Sequence, residues 1–472
     1  MTKAMPSIEG LVSPLPHAGR AMTTHPQAHS ARRLPSLAGP AAWDAILESR
    51  PPYPRLEGRK VADFAIVGAG FAGLSAARRL KQLDPGATVA VLDAGRIAQG
   101  SAGRNSGFMI DLPHELTSDD YAGDSAASDR KIIDLNRRAI EFGAEAVAEY
   151  GISRDYFRRD GKINGAASGR AHDQNITYAA HLSAIGEASE LLDAQAMHAL
   201  TGSRHYRSGL YTPGTVMLQP AGYIRGLAAG LSNHVAIFED SPVLELIRLD
   251  QGWSLRTAAG RVDAGAVLLA NNGHLESFGF ARGRLMHVFL FACMTEELSK
   301  DTLDRLGGED NWGVTPSDPM GTTLRRIATA QGGNRIVTRT MSRFLPDMAT
   351  TDGDMRRATR MMRQKFDDRF PQLASVKMDY AWAGHLCLSR NGVSVARQLD
   401  RGLYAACVQN GLGTVRGTLT GIAAAEAALG TESAVSRHFA DQPDPPRLPP
   451  APLAKLGANL FIRWKEWRAH NE

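Results

Sequence analysis

The feature that most constrains this chain is residues 61–110, VADFAIVGAGFAGLSAARRLKQLDPGATVAVLDAGRIAQGSAGRNSGFMI. The run "DFAIVGAG" is apolar and β-branched and ends in glycine, which predicts a buried parallel strand. "FAGLSAARRLKQL" predicts a helix with Leu74, Ala77 and Leu80 near one face. Between them lies Gly68-Ala69-Gly70-Phe71-Ala72-Gly73, a complete G-x-G-x-x-G. Gly68 permits the tight turn, Gly70 lets the backbone approach a pyrophosphate, and Gly73 lets helix and strand pack closely. The helix N-terminus then offers free N–H groups and a positive dipole end to phosphate. "ATVAVLDA" is a second strand, and it ends in Asp93 and Ala94. Asp93 falls about 20 residues after the last glycine, the distance a βαβ unit needs for a carboxylate on an adenosine ribose. The motif suits FAD and NAD alike; the acid argues against a 2′-phosphate, and so against NADP at this site.

Composition narrows the remainder. The chain has 472 residues, long enough for two or three domains. With 43% hydrophobic and 22% charged residues it reads as globular. Its formal charge of +5 is spread along the chain, with no basic stripe carrying interleaved aromatics, so nucleic acid is not an expected partner. Cys293, Cys387 and Cys407 lie far apart, without metal-ligand spacing, and suit a reducing, cytoplasmic compartment. No metal is expected. Residues 1–40, rich in Pro, Ser, His and Ala, are expected to be a disordered leader.

The loop after the clamp, Gly100-Ser101-Ala102-Gly103-Arg104-Asn105-Ser106-Gly107, is crowded with donors. A flavin dinucleotide needs such a second set of contacts, for its ribityl and pyrophosphate oxygens. Here the chain resembles the FAD-dependent D-amino-acid-oxidase/glycine-oxidase (DAO) superfamily. It is most similar to the γ-glutamylputrescine-oxidase-like branch, which carries a "GASGRNGG"-type loop at this place. Two further stretches carry the resemblance. "LYTPGTVMLQPAGYIRGLAAGL" is similar to the family's strand-Pro-helix segment. "YAWAGHLCLSRNGVSVARQLDRGLYAACVQNGLGTVRGTLTGIAAAEAAL" is similar to its W-x-G strand followed by a glycine loop and helix. Val408 or Gln409 replaces that loop's first family glycine, and Val393-Ser394-Val395-Ala396 stands where a Pro-x-x-Gly is usual.

The resemblance implies an α/β fold: a Rossmann-type FAD-binding domain, discontinuous in sequence, capped by a mixed-sheet substrate domain. The expected boundaries are 60–112, part of 205–273, and 385–432 for the FAD domain; 113–204 and 274–384 for the cap; and 433–472 for a tail with an amphipathic helix. Cofactor contacts are expected from Gly68, Ala69, Gly70, Phe71, Ala72 and Gly73; Asp93, Ala94 and Arg96; and Ser101, Ala102, Arg104, Asn105 and Ser106. Val243, Gly273, Gly411, Leu412, Gly413 and Thr414 complete the set. FAD is expected to bind non-covalently, Cys387 and Cys407 reading as core. Phe108 and Met109 are expected to line the reacting side.

The implied reaction oxidises the C–N bond of a primary or secondary amine or amino acid by hydride transfer to flavin N5; the imine formed then hydrolyses. The implied acceptor is O2 or a quinone or other electron carrier. Substrate-side candidates are Trp382 as an aromatic wall, His385 one residue past the W-x-G glycine, and Arg325, beside Arg326, as a carboxylate binder. His287 is a further candidate, whereas Arg356, Arg357, Arg360 and Arg363 read as a solvated helix face. An FAD monooxygenase and a non-catalytic flavin-binding redox sensor are the alternative readings. The C-terminal "LAKLGANLFIRWKEWRAHNE" reads as a docked helix or oligomer contact, with peripheral attachment to a membrane surface as its alternative.

Overall fold

The computed structural model describes residues 28–113, 125–318 and 320–469. The apolar run Phe64–Val67 is buried, and it closes strand Gly58–Val67. Helix Phe71–Leu83 follows and stops at Asp84, before Pro85. Its face carrying Leu74, Ala77 and Leu80 has no exposed surface; each fully buried leucine contributes roughly 2 kcal/mol of apolar transfer. Strand Val89–Leu92 returns parallel to the first, Phe64 opposite Val89 and Val67 opposite Leu92. This is the βαβ unit the glycine spacing predicts.

Around it grows a nine-stranded sheet. Ala236–Phe238 pairs in parallel outside Val89–Leu92. Gly260–Leu269 pairs in parallel on the other side of Gly58–Val67, and its end takes Leu403–Cys407, also in parallel. The hairpin Glu245–Arg248 and Trp253–Arg256 extends the sheet antiparallel. Helix Val415–Leu429 packs on the clamp helix. A Cβ on Gly421 would lie 2.2 Å from the Ala72 carbonyl oxygen, which shows how closely the two helices meet.

A second sheet has eight strands, in the order Met378–Ser389, Leu285–Thr295, Arg335–Phe344, Thr323–Ile327, Trp312–Pro316, Lys162–Ala166, Ser208–Thr212, Glu190–Asp193. The mixed α/β class therefore holds, and the strand pairings show which segments join each sheet. Ser208–Thr212 pairs with Lys162–Ala166 and so belongs to the cap sheet, not to the FAD domain. Met378–Ser389, which carries His385, is also a cap strand along its whole length. Helix Ala126–Glu149, expected in the cap, instead buries Leu135, Ala139 and Ile140 in the core that contains the clamp helix. Arg78 of the clamp helix, buried, donates to the Phe142 carbonyl (2.8 Å) and to Glu149 and fixes that packing.

The leader expected over 1–40 needs the same correction in its described part. Residues 1–27 lie outside the described residues. Ala28–Ser30 forms a strand on Glu245–Arg248, and the Ala31 N–H donates to the Leu244 carbonyl (2.7 Å). Ala38 accepts from the Ala383 N–H (3.0 Å). Gly39 has φ +71°, and a Cβ there would lie 2.0 Å from the Ala381 carbonyl oxygen, so the chain is clasped against the cap strand. Polar, proline-rich composition concealed these backbone hydrogen bonds.

Candidate functional site

The ends of the parallel strands, the loop after them and the cap sheet enclose one cavity of about 530 Å³. At its dinucleotide end the turn Gly68–Ala72 opens helix Phe71–Leu83, and the Asp93 carboxylate spans two turns. Asp93 Oδ2 accepts from the Ala69 N–H (2.8 Å) and Oδ1 from the Gly95 N–H (3.0 Å). Burial raises the Asp93 pKa against the pull of those two N–H groups. Gly73 does not face the cavity. It sits against Gly68, whose carbonyl oxygen would be 1.8 Å from a Cβ at residue 73. That contact is the close helix–strand packing the third glycine predicts.

All the expected cofactor residues except Gly73 and Gly273 lie on the cavity wall. Position on the wall and use of the side chain are different matters, however. The Arg104 guanidinium faces carbonyls, donating to Gln99 O (2.6 Å), Ala38 O (3.0 Å), Gly39 O (2.9 Å) and Ala383 O (3.2 Å). Burial lowers its pKa to about 10. Asn105 caps its own loop, donating to Ala102 O (2.6 Å) and accepting from the Gly107 N–H (2.8 Å). The Arg-Asn pair therefore shapes the loop through these side-chain hydrogen bonds. Thr414 Oγ1 likewise donates to Phe108 O (2.7 Å). Gly273 lies beneath the imidazoles of His287 and His385.

The substrate-side candidates separate in the same way. Trp382 is fully buried, and its Nε1 donates to the Arg104 carbonyl (3.0 Å); it is core, not cavity wall. Arg325 is also fully buried and away from the wall. Its Nη1 donates to Gly107 O (2.9 Å) and Leu218 O (3.0 Å), between the rings of Trp43 and Phe108. Burial brings its pKa down to about 9. Arg326 donates to the Gly307 carbonyl (2.8 Å). Phe108 is on the wall and Met109 is not. Cys387 and Cys407 are buried off the wall, and burial pushes the Cys407 thiol up to about 12.

His385 is on the wall, and it begins a chain of polar groups. His385 Nε2 lies 3.1 Å from His287 Nδ1, and His287 Nε2 lies 2.9 Å from Glu276 Oε2. The Glu276 side chain is 24% exposed, so the chain runs from the cavity to solvent. Burial pushes Glu276 upward, but the hydrogen bonds from His287 and the Gly283 N–H outweigh it and hold it below the usual range. In the neutral form of His287, a proton on Nε2 facing the ionised Glu276 leaves Nδ1 as an acceptor. His385 Nε2 is then the donor, and Nδ1 is left as its acceptor. Burial, reinforced by His287 and His274, holds the His385 pKa well below the usual value. Burial likewise brings His274, also on the wall, down to about 4. Both rings are neutral at ordinary pH.

Two wall residues and one wall segment were missed by sequence reasoning. Asn271 has a buried Nδ2 with no hydrogen-bond partner, an orphaned donor that a cofactor acceptor would satisfy. Arg339 rises from strand Arg335–Phe344, and its Nη2 donates to Thr323 Oγ1 (2.6 Å), also on the wall. Its spacing from Arg335 and Arg343 was the available signal; those two pair with Asp379 and Asp354. The segment Arg33–Leu37, read as leader, lines the cavity as well.

Behind Thr315, another wall residue, Lys162 is buried and donates to Asn164 Oδ1 and Thr315 Oγ1. Burial lowers its pKa from 10.5 to about 8, with Asp111 opposing. A lysine pKa lowered in the folded state disfavours folding fully below pH 8, and the cost fades as pH rises from 8 to 10.5. At about 1.4 kcal/mol per unit the cost is about 3 kcal/mol at neutral pH, offset by roughly 1 kcal/mol of hydrogen bonding. Lys162→Met is therefore expected to be about 2 kcal/mol more stable than the wild type at pH 7 in urea unfolding. That advantage should shrink as pH passes from 8 towards 10.5. An advantage independent of pH would contradict the assignment.

The clamp, the second helix N-terminus at Gly411–Thr414 and the orphaned Asn271 donor together suit a flavin dinucleotide, and the family comparison agrees. The model of the DAO family, described as FAD dependent oxidoreductase, matches residues 63–427. The chain belongs to the DAO family of FAD-dependent oxidoreductases. Within that family it is 29% identical over 396 residues to OrdL of Haemophilus influenzae, described as a probable oxidoreductase, covering 81% of this chain and 86% of that one. It is 26% identical over 360 residues to the gamma-glutamylputrescine oxidoreductase of Escherichia coli K12, covering 75% and 80%. Among solved DAO-fold structures, glycine oxidase from Geobacillus kaustophilus superposes with a TM-score of 0.65 at 19% identity, covering 79% of this chain and 96% of that one.

Proposed function

We propose that this DAO-family protein oxidises the C–N bond of an amine or amino acid. The observation that carries the reading is the continuity of the cavity. It runs from the dinucleotide clamp to a cap wall bearing Thr315, Thr323 and Arg339, so a cofactor and a small cationic or zwitterionic substrate fit end to end. The name of the E. coli relative, a gamma-glutamylputrescine oxidoreductase, favours an amine as well.

Bound non-covalently, FAD supplies a two-electron acceptor for hydride from the carbon beside nitrogen. Gly68–Ala72, Asp93, Val243 and Asn271 would hold its dinucleotide part. The helix end at Gly411–Thr414 would place a positive dipole where reduction builds negative charge. The chain's own residues then have two tasks. His385, neutral and with Nδ1 as acceptor, takes a proton from the substrate ammonium as its Nε2 proton passes to His287 Nδ1 and the His287 Nε2 proton passes to the Glu276 carboxylate. Arg339 binds an acidic group of the substrate through charge-assisted hydrogen bonds. The free amine loses hydride to become an iminium ion, and water converts this to carbonyl compound and amine. O2 or a quinone takes up the electrons.

Arg339→Leu is expected to raise KM for a carboxylate-bearing amine by roughly 10- to 100-fold, the equivalent of about 1.5–3 kcal/mol for hydrogen bonds to a charged group. The kcat should change little, and an amine lacking a carboxylate should be unaffected. Equal losses on both substrates in steady-state assays would remove Arg339 from the substrate site.

A further inference from the structure

The C-terminal helix Ala451–Arg468 is amphipathic in the opposite sense to an ordinary docked helix. Two of its polar side chains, Asn459 and Glu466, face the protein. Asn459 Oδ1 accepts from the Phe344 N–H (3.2 Å) and its Nδ2 donates to the Phe344 carbonyl (3.0 Å). Glu466 Oε1 accepts from the Ser342 N–H (2.8 Å). The helix thereby covers the end of strand Arg335–Phe344 that runs past the pairing with Thr323–Ile327. Its large apolar side chains face outward: Leu453, Leu456, Leu460, Trp464 and Trp467 recur at three- and four-residue steps, one stripe on an α-helix. All are exposed, Leu453 at 66% and Trp467 at 73%. A water-facing stripe of this size calls for an occupant.

Charge indicates which occupant. Lys455, Arg463 and Lys465 lie on this helix, and its one acid, Glu466, is turned inward onto the strand. The exposed cations Lys455 and Arg463 thus flank the apolar stripe, and no other acid lies on this helix. The helix is also held in place. The segment before it is tied to the body by Arg397 on Asp444 (2.8 Å) and by the Leu448 N–H on the Gly283 carbonyl (2.8 Å). Two residues beyond Phe344, Pro346 accepts from Arg33 (2.7 Å), and Leu34 and Leu37 follow as exposed apolar residues on the cavity wall. The helix and the cavity-lining segment that starts at Arg33 thus hold neighbouring residues of one stretch, Ser342 to Pro346. No described helix is long and apolar enough to cross a bilayer, so contact would be confined to the surface.

We infer that this helix docks the protein onto an anionic membrane surface. The leucines and tryptophans enter the headgroup boundary, and the lysines and arginine meet lipid phosphate and anionic headgroups. The cavity rim then faces the bilayer, where an acceptor dissolved in lipid can reach it.

Co-sedimentation of the full-length, FAD-loaded protein with vesicles tests this. Phosphatidylcholine vesicles are compared with vesicles also containing phosphatidylglycerol. Binding is expected to the mixed vesicles, with a blue shift of tryptophan emission, and to fall at high salt. The double variant Leu460→Glu, Trp467→Glu should lose at least 10-fold in partitioning. Lys465→Ser should lose about 5-fold on the anionic vesicles, the value of one cation near such a surface. Flavin content and turnover in detergent-free buffer should match the wild type in both variants. Absence of binding to either vesicle overturns the proposal. So does an assembly of copies that the double variant dissociates while vesicle binding is absent, which would make a second copy the occupant.

Discussion

Gly73→Ala is expected to yield protein without bound flavin and with much reduced soluble yield. The added methyl would lie 1.8 Å from the Gly68 carbonyl oxygen and 3.3 Å from Ile66 Cγ2. The first contact is with backbone, so no side-chain rotation relieves it. The clamp helix must shift away from strand Gly58–Val67, and helix Val415–Leu429 blocks the retreat through its contact at Ala72. Overpacking of a close-packed site costs about 1–3 kcal/mol even where relaxation is possible, and here the shift also opens the turn meant to hold pyrophosphate. Flavin absorbance per polypeptide is the readout. Gly86→Ala, in the same βαβ unit, would meet only Asp84 Oδ1 at 3.5 Å and should retain flavin. Equal flavin content in both variants would show that Gly73 does not set the clamp.

His385→Asn is expected to slow flavin reduction by substrate by about 100-fold at neutral pH, the lower range for loss of a general base. The deficit should shrink as pH rises towards the substrate's own amine pKa, because the free amine then needs no acceptor. Glu276→Gln should give a milder loss with the same pH trend, since it frees the tautomers of His287 and His385. His274, the other wall histidine, and Phe289, stacked on His385 at 5.0 Å between ring centroids, also flank the ring. A deficit constant across pH in stopped-flow reduction would mean that His385 acts through packing alone.

The dinucleotide half of the site was legible because its physics is local. Gly68, Gly70, Gly73 and Asp93 are fixed by a turn, a helix start and a strand end within one βαβ unit, and pattern reading reaches that far. The substrate half was not, because its geometry depends on long-range contacts. "LRR" offers two arginines to a sequence reader, yet Arg325 serves the Gly107 and Leu218 carbonyls and Arg326 the Gly307 carbonyl. Arg339, on the neighbouring strand, is the one on the wall. Trp382 looked like a substrate wall because its family motif passes the flavin, but strand alternation turns it into the core while His385 reaches the cavity. Residues 28–40 looked like a leader because composition carries no information on backbone partners. The Glu276–His287–His385 chain joins three segments 11 and 98 residues apart, and no spacing rule would have found it.

The most direct test of the account is anaerobic mixing of the flavin-loaded protein with a panel of amines, following the long-wavelength flavin absorbance. The panel includes γ-glutamyl-polyamines, N-methyl amino acids, proline analogues and D-amino acids. The account predicts rapid bleaching by at least one class and recovery of the absorbance once O2 or a soluble quinone is added. A protein that holds FAD but is bleached by none of them, and only by a reduced nicotinamide, would contradict it.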